Sequence, residues 1–153
     1  MEAMHLSELK KGMQFPEYTH TLSDDIIKKY LAGIEENDPL YVDKEDASQS
    51  NFGHVIVPPT SISIYVTPSR ALKTIEKKPP PGMIQTGQRY EFYHPIRVGE
   101  TVTVRGAIED VYQKKNRDYV VLKGEAFNSN GTKAAVSYLT FIWPSQPGEK
   151  SDK

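Results

Sequence analysis

Two short stretches of this chain concentrate side chains able to move protons. Residues 35–43, Glu-Glu-Asn-Asp-Pro-Leu-Tyr-Val-Asp, carry carboxylates and a tyrosine but no histidine. Residues 53–61, Gly-His-Val-Ile-Val-Pro-Pro-Thr-Ser, place two adjacent prolines, Pro58 and Pro59, at the head of small and β-branched residues. Carboxylates and imidazoles are the common general acids and bases near neutral pH. A proline has no backbone N–H, so Pro58 and Pro59 withhold amides that could otherwise stabilise a developing negative charge. Together the stretches have the composition of an active-site region with some of its working groups replaced.

The rest of the composition narrows the field. The chain has 153 residues, with 19 Lys and Arg against 20 Asp and Glu. That balance leaves no electrostatic footprint for nucleic acid. There is no cysteine, which removes disulfides, thiol catalysis and cysteine–metal sites. His5, His20, His54 and His94 are scattered without ligand spacing, and no Gly-rich phosphate loop is present, so neither metal nor cofactor is expected. No apolar run is long enough for a membrane helix, and the start lacks the apolar core of a secretion signal. A soluble, cytoplasmic protein is expected. The length suits one domain, placed at residues 1–145, with a polar, Pro- and Gly-bearing tail at 146–153 expected to fray.

The elements around the two stretches differ in kind. Ser23 is a plausible N-cap for a helix in which Ile26, Ile27, Tyr30, Leu31 and Ile34 form one apolar stripe, ended by Asn37-Asp38-Pro39. Asp43 is placed to cap a second, short helix. Residues 76–82 read as a stiff extended connector. The second half reads as antiparallel strands. Tyr90 and Phe92 share a face, as do Val102, Val104 and Ile108, and again Val120, Leu122 and Ala126. In the last strand Leu139, Phe141 and Trp143 alternate with Val136, Tyr138 and Ile142, so both faces are apolar. Residues 113–118 read as a turn, and Asn130-Gly131 as a hairpin signal before the last strand. Residues 60–75 are ambiguous: β-branching favours strand, Pro68 opposes any regular element, and Pro59 suits a helix start.

In this order of elements, "ENDPLYVDKEDA", "FGHVIVPPT" and "QRYEFYHPIRVGETVTVRGAIEDVY" resemble the MaoC-like hydratase/dehydratase family. More narrowly, the chain resembles the N-terminal-type MaoC dehydratase domain, also found as the companion subunit of heterodimeric 3-hydroxyacyl-thioester dehydratases. The resemblance covers nearly the whole chain. It implies an α+β hot-dog fold, an antiparallel sheet wrapped around a central helix at about residues 59–72. It also implies pairing of domains edge to edge, with substrate pockets at the interface.

Hydration of a 2-enoyl thioester needs an activated water, an acid for Cα and donors for the thioester oxygen. Active members of the family resemble Asp-x-Asn-Pro-x-His, followed by a small-residue–His–Gly step at the central helix. Laid on this chain, the catalytic positions fall on Glu36, Asp38 and Tyr41, the motif's proline on Pro39, and the His–Gly step on Pro58 and Pro59. Tyr41, with an ordinary pKa of ~10, is a poor base at neutral pH. The implied substrate-binding positions are His54, Val57, Pro58, Pro59, Thr60 and Arg97. The implied ligand is an acyl-CoA or acyl-carrier thioester, and the implied assembly is a homodimer or a heterodimer with a catalytic MaoC-like subunit. The expectation is a non-catalytic substrate-pocket subunit. Three alternatives stand beside it. One is a self-sufficient homodimeric hydratase in which Glu36 is the base and His54 or His94 the second group. Another is a hot-dog thioesterase, although residues 59–72 contain no carboxylate. The third is an acyl-CoA binding protein using Arg89, Arg97, Arg105, Lys114, Lys115 and Arg117, charges that otherwise read as ordinary solvated ones.

Overall fold

A computed structural model describes residues 2–144; the tail expected at 146–153 lies outside the described residues. In chain order the strands are β1 (Glu2–Ala3), β2 (Tyr18–Thr21), β3 (Lys77–Lys78), β4 (Ile84–Phe92), β5 (Thr101–Lys114), β6 (Arg117–Phe127) and β7 (Lys133–Trp143). The helices are α1 (Asp24–Gly33), α2 (Pro39–Val42), α3 (Lys44–Gln49), α4 (Ile62–Tyr65) and α5 (Pro68–Lys73), with a 3-10 turn over Pro59–Ser61. Five strands form an antiparallel sheet in the order β2-β5-β6-β7-β4, and β1 and β3 make a small parallel pair. The sheet packs around the helical segment 59–73, as the hot-dog expectation requires. Among the described residues no helix is long and apolar enough to cross a membrane.

Local chemistry sets the helix starts. Ser23 accepts a hydrogen bond from the Ile26 N–H, and Asp43 accepts from the N–H groups of Glu45 and Asp46, so both expected caps are in place. Helix α1 is shorter than its apolar stripe suggested. It ends at Gly33, and Glu35 turns the chain away with φ 56°. Ile27 and Leu31 enter the core, whereas Ile34 is left exposed.

The central helix is present but broken. Thr67 is extended, with φ −128° and ψ 144°, because the ring of Pro68 disfavours the helical region for its predecessor. Pro68 also offers no N–H to the turn before it. The break is reused: Thr67 Oγ1 accepts from the Arg70 N–H and caps α5. Tyr18, on β2, spans the gap. Its hydroxyl donates to the Tyr65 carbonyl at 2.8 Å and accepts from the Thr67 N–H at 3.4 Å. Burial pushes the Tyr18 hydroxyl up in pKa, so it stays protonated and able to donate. Tyr18→Phe should therefore lower stability by roughly 1–3 kcal/mol, the cost of leaving a partly buried carbonyl unpaired. An unchanged urea midpoint would show that the hydroxyl bridges nothing of consequence.

Strands β5 and β6 run longer than their expected limits, whereas β4 begins earlier and ends at Phe92. The turn expected over 113–118 contracts to Lys115 and Asn116, both with positive φ (51° and 56°). This is the conformation of a two-residue hairpin turn, and β5 and β6 pair right up to it. The Asn130-Gly131 connection is a longer loop in which Asn128 Oδ1 accepts from the N–H groups of Asn130 and Thr132. Residues 18–21 form an edge strand, and 2–15 close the far end of the fold. There Met4, Leu9 and Phe15 join Leu72, Ile108, Val120, Phe141 and Trp143 in a second core. The first core, around Leu22, Ile27, Leu31, Ile62, Tyr65 and Val102, lies beside the two stretches of interest.

Candidate functional site

Backbone pairing brings the second stretch to its place. The Val57 N–H donates to the Ile96 carbonyl at 2.8 Å, and the Val98 N–H donates to the Val55 carbonyl at 3.2 Å. Residues 54–59 are thereby laid against 95–98, and a cavity opens on each side of this pairing.

One is an apolar groove of about 240 Å³. Val57, Pro58 and Pro59 line it together with Phe52, Tyr65, Phe92, Tyr93 and His94. The other is a more polar cleft of about 620 Å³. Tyr41, His54 and Arg97 line it, over a floor that includes Ile27 and Leu31. The structure thus divides the proposed substrate-binding positions between two cavities. Thr60 lines neither; its Oγ1 accepts from the Tyr30 hydroxyl at 2.9 Å. Tyr30 belongs to the apolar stripe of α1, and its hydroxyl contact was invisible to periodicity.

Glu36 and Asp38 line neither cavity. Glu36 Oε1 accepts from the N–H groups of Asn37 and Asp38, each at 2.9 Å. Asp38 Oδ1 accepts from the Leu40 N–H at 2.9 Å and caps α2. Both carboxylates are engaged with local backbone. Tyr41 packs against the first core. Burial, and then the charges of Asp38 and Glu36, raise its pKa, so it stays a neutral phenol, able to donate a hydrogen bond but a poor base. Burial, helped by the Arg97 charge and opposed by Glu100, pushes the His54 pKa down and leaves a neutral imidazole. At the head of the helical segment Pro58 and Pro59 carry no N–H, as the sequence requires.

The sequence reading missed Phe52 in the groove and Lys28 and Lys44 in the cleft. Lys28 and Lys44 sat in ordinary helical surface patterns, and Phe52 in a loop without periodicity.

Residues 10–136 match the family described as FAS1-like, dehydratase domain region. A UPF0336 protein of Streptomyces griseus is 25% identical over 130 residues, spanning 82% of this chain and 85% of the relative. A MaoC-like dehydratase from Rhodospirillum rubrum superposes with a TM-score of 0.76 at 20% identity, covering 95% of this chain and 100% of that one. A chain of the C-terminally truncated HadBC (3R-hydroxyacyl-ACP dehydratase) complex of Mycobacterium tuberculosis gives 0.75 at 19% identity, covering 86% and 96%. The two solved structures bear out the hot-dog fold.

Proposed function

The chain belongs to the FAS1-like dehydratase-domain family, with the hot-dog fold of the MaoC-like hydratases and dehydratases, and from that premise we propose that it is a substrate-pocket subunit working beside a catalytic hot-dog partner. The reaction of the pair is hydration of a 2-enoyl thioester or its reverse, dehydration of a 3-hydroxyacyl thioester. The carrier is CoA or an acyl-carrier protein, and the acyl chain lies along the apolar groove.

One observation carries this reading: the groups at the family-equivalent catalytic positions are missing or engaged elsewhere. Tyr41 stands where a basic histidine is expected, Pro59 offers no amide, and Glu36 and Asp38 cap backbone. The two-subunit arrangement gains support from the HadBC relative, itself described as a complex. It also gains support from β4, an open sheet edge of nine residues. Unpaired edges are normally covered or blunted. Here the edge and the residue after it expose Ile84 (57%), Phe92 (49%) and Tyr93 (54%).

Co-expression with a catalytic MaoC-like subunit should give a complex that survives purification at micromolar concentration. Phe92→Asp should weaken it roughly 10-fold or more, the worth of burying one large apolar side chain. No association at micromolar concentration, or a complex indifferent to Phe92→Asp, would remove the support for this pairing.

A further inference from the structure

The polar cleft is walled mainly by positive charge. Its wall holds three cations, Lys28, Lys44 and Arg97, against a single carboxylate, Asp24. That carboxylate is already held by Lys28 at 2.6 Å. Among the described residues the side chains of Lys44 and Arg97 form no ion pair. The Arg97 backbone N–H donates to Glu100 Oε2 at 2.7 Å; that carboxylate lies close enough to feel the Arg97 charge but forms no ion pair with its guanidinium. Beneath these charges lie Ile27, Leu31, Val55, Val98 and the half-buried ring of Tyr41. A cationic rim over an apolar, partly aromatic floor suits a ligand with one strongly anionic group on a flat, weakly polar body.

We propose that this cleft, lined by Tyr41, Lys44, His54 and Arg97, binds a nucleoside phosphate, with the base over Tyr41 and the phosphate between Lys44 and Arg97. The volume of about 620 Å³ greatly exceeds the needs of a lone phosphate and falls within the usual range for small-molecule sites. Two unpaired cations match a dianion better than a carboxylate, and a guanidinium meets phosphate oxygens in bidentate fashion. The phenol of Tyr41 and the neutral imidazole of His54 can each donate and accept a hydrogen bond without adding further charge. This site is separate from the groove and from the β4 edge, and it does not depend on the subunit reading.

The test is calorimetric titration of the full chain with AMP, adenosine, inorganic phosphate and octanoate. AMP should bind at least tenfold more tightly than any of the other three. Lys44→Gln and Arg97→Gln should each weaken AMP binding roughly 10- to 100-fold, the range for a hydrogen bond to a charged group. Their melting temperatures should be unchanged, because both side chains are exposed and unpaired. Phe92→Asp should leave AMP binding as it is, which separates failure here from failure of the groove and edge reading. No AMP binding up to about 1 mM, a range of only a few kcal/mol, would overturn the proposal. So would adenosine binding as well as AMP, octanoate binding better, or AMP binding indifferent to both substitutions.

Discussion

Assayed alone with crotonyl-CoA, the purified chain is expected to hydrate at least ~10⁴-fold more slowly than a catalytic MaoC-like subunit. Two losses set that figure. Removing one oxyanion donor typically costs on the order of 10²–10³ in rate. Removing a positioned general base costs about 10²–10⁴. Groups that act as a unit are not additive, so the expected loss is the low end of the product, ~10⁴. The structure adds the reason that neither the phenol nor the carboxylates of the first stretch substitute for the missing base. Tyr41 is held as a neutral phenol, and the carboxylates of Glu36 and Asp38 are bound to backbone N–H groups. Glu36→Gln should change neither the residual rate nor the fold, because the amide oxygen can still accept from Asn37 and Asp38. Robust turnover by the parent chain that Glu36→Gln abolishes would replace the silent-subunit reading with a rewired homodimeric hydratase.

The largest effect on stability is expected from Gly124→Ala. Gly124 lies opposite Gly106 in the β5–β6 pair, and both are buried. Together they leave a bare strip on the inner face of the sheet, against which the broken helical segment rests. A Cβ at position 124 would overlap the Val66 side chain, immediately before the Thr67–Pro68 break. Val66 is buried and β-branched, so relief requires its side chain to leave its rotamer or the end of α4 to shift. Overpacking of a core usually costs about 1–3 kcal/mol, and the upper end is expected here. Urea unfolding measures it. Gly124→Ala combined with Val66→Ala should be more stable than Gly124→Ala alone, because the second change removes the overlap. Simple additivity of the two losses would show that the sites do not touch.

Much of the fold was legible because it is local. Period-two alternation marked β4 to β7, with the shared faces of Val102, Val104 and Ile108 and of Val120, Leu122 and Ala126 as observed. Ser23 and Asp43 were readable as caps because an N-cap needs only a short polar side chain and a free amide two or three residues on. The limits were harder. Residues 113–118 look like a polar turn, but cross-strand pairing carries both strands to Lys115-Asn116. The edge strand at 18–21 has no strong pattern of its own and exists because β5 offers it partners. Residues 59–73 needed the family resemblance to be read as helical, and Pro68 then divided them as a proline must.

The sequence by itself determined what two positions cannot do. A proline has no N–H wherever it is placed, and a tyrosine is not a base at neutral pH, so Pro59 offers no amide and Tyr41 no basic nitrogen whatever the fold. Only the tertiary structure decided which remaining groups meet. Tyr41, His54 and Arg97 come from three separate segments to line one cleft, and Lys44 joins them there. Pro58 and Pro59 instead turn toward Phe52, Phe92 and Tyr93 in the groove. That division follows from the pairing of Val55 and Val57 with Val98 and Ile96. Such contacts join segments far apart in the chain through packing and backbone hydrogen bonds, and no local pattern of residue types encodes them.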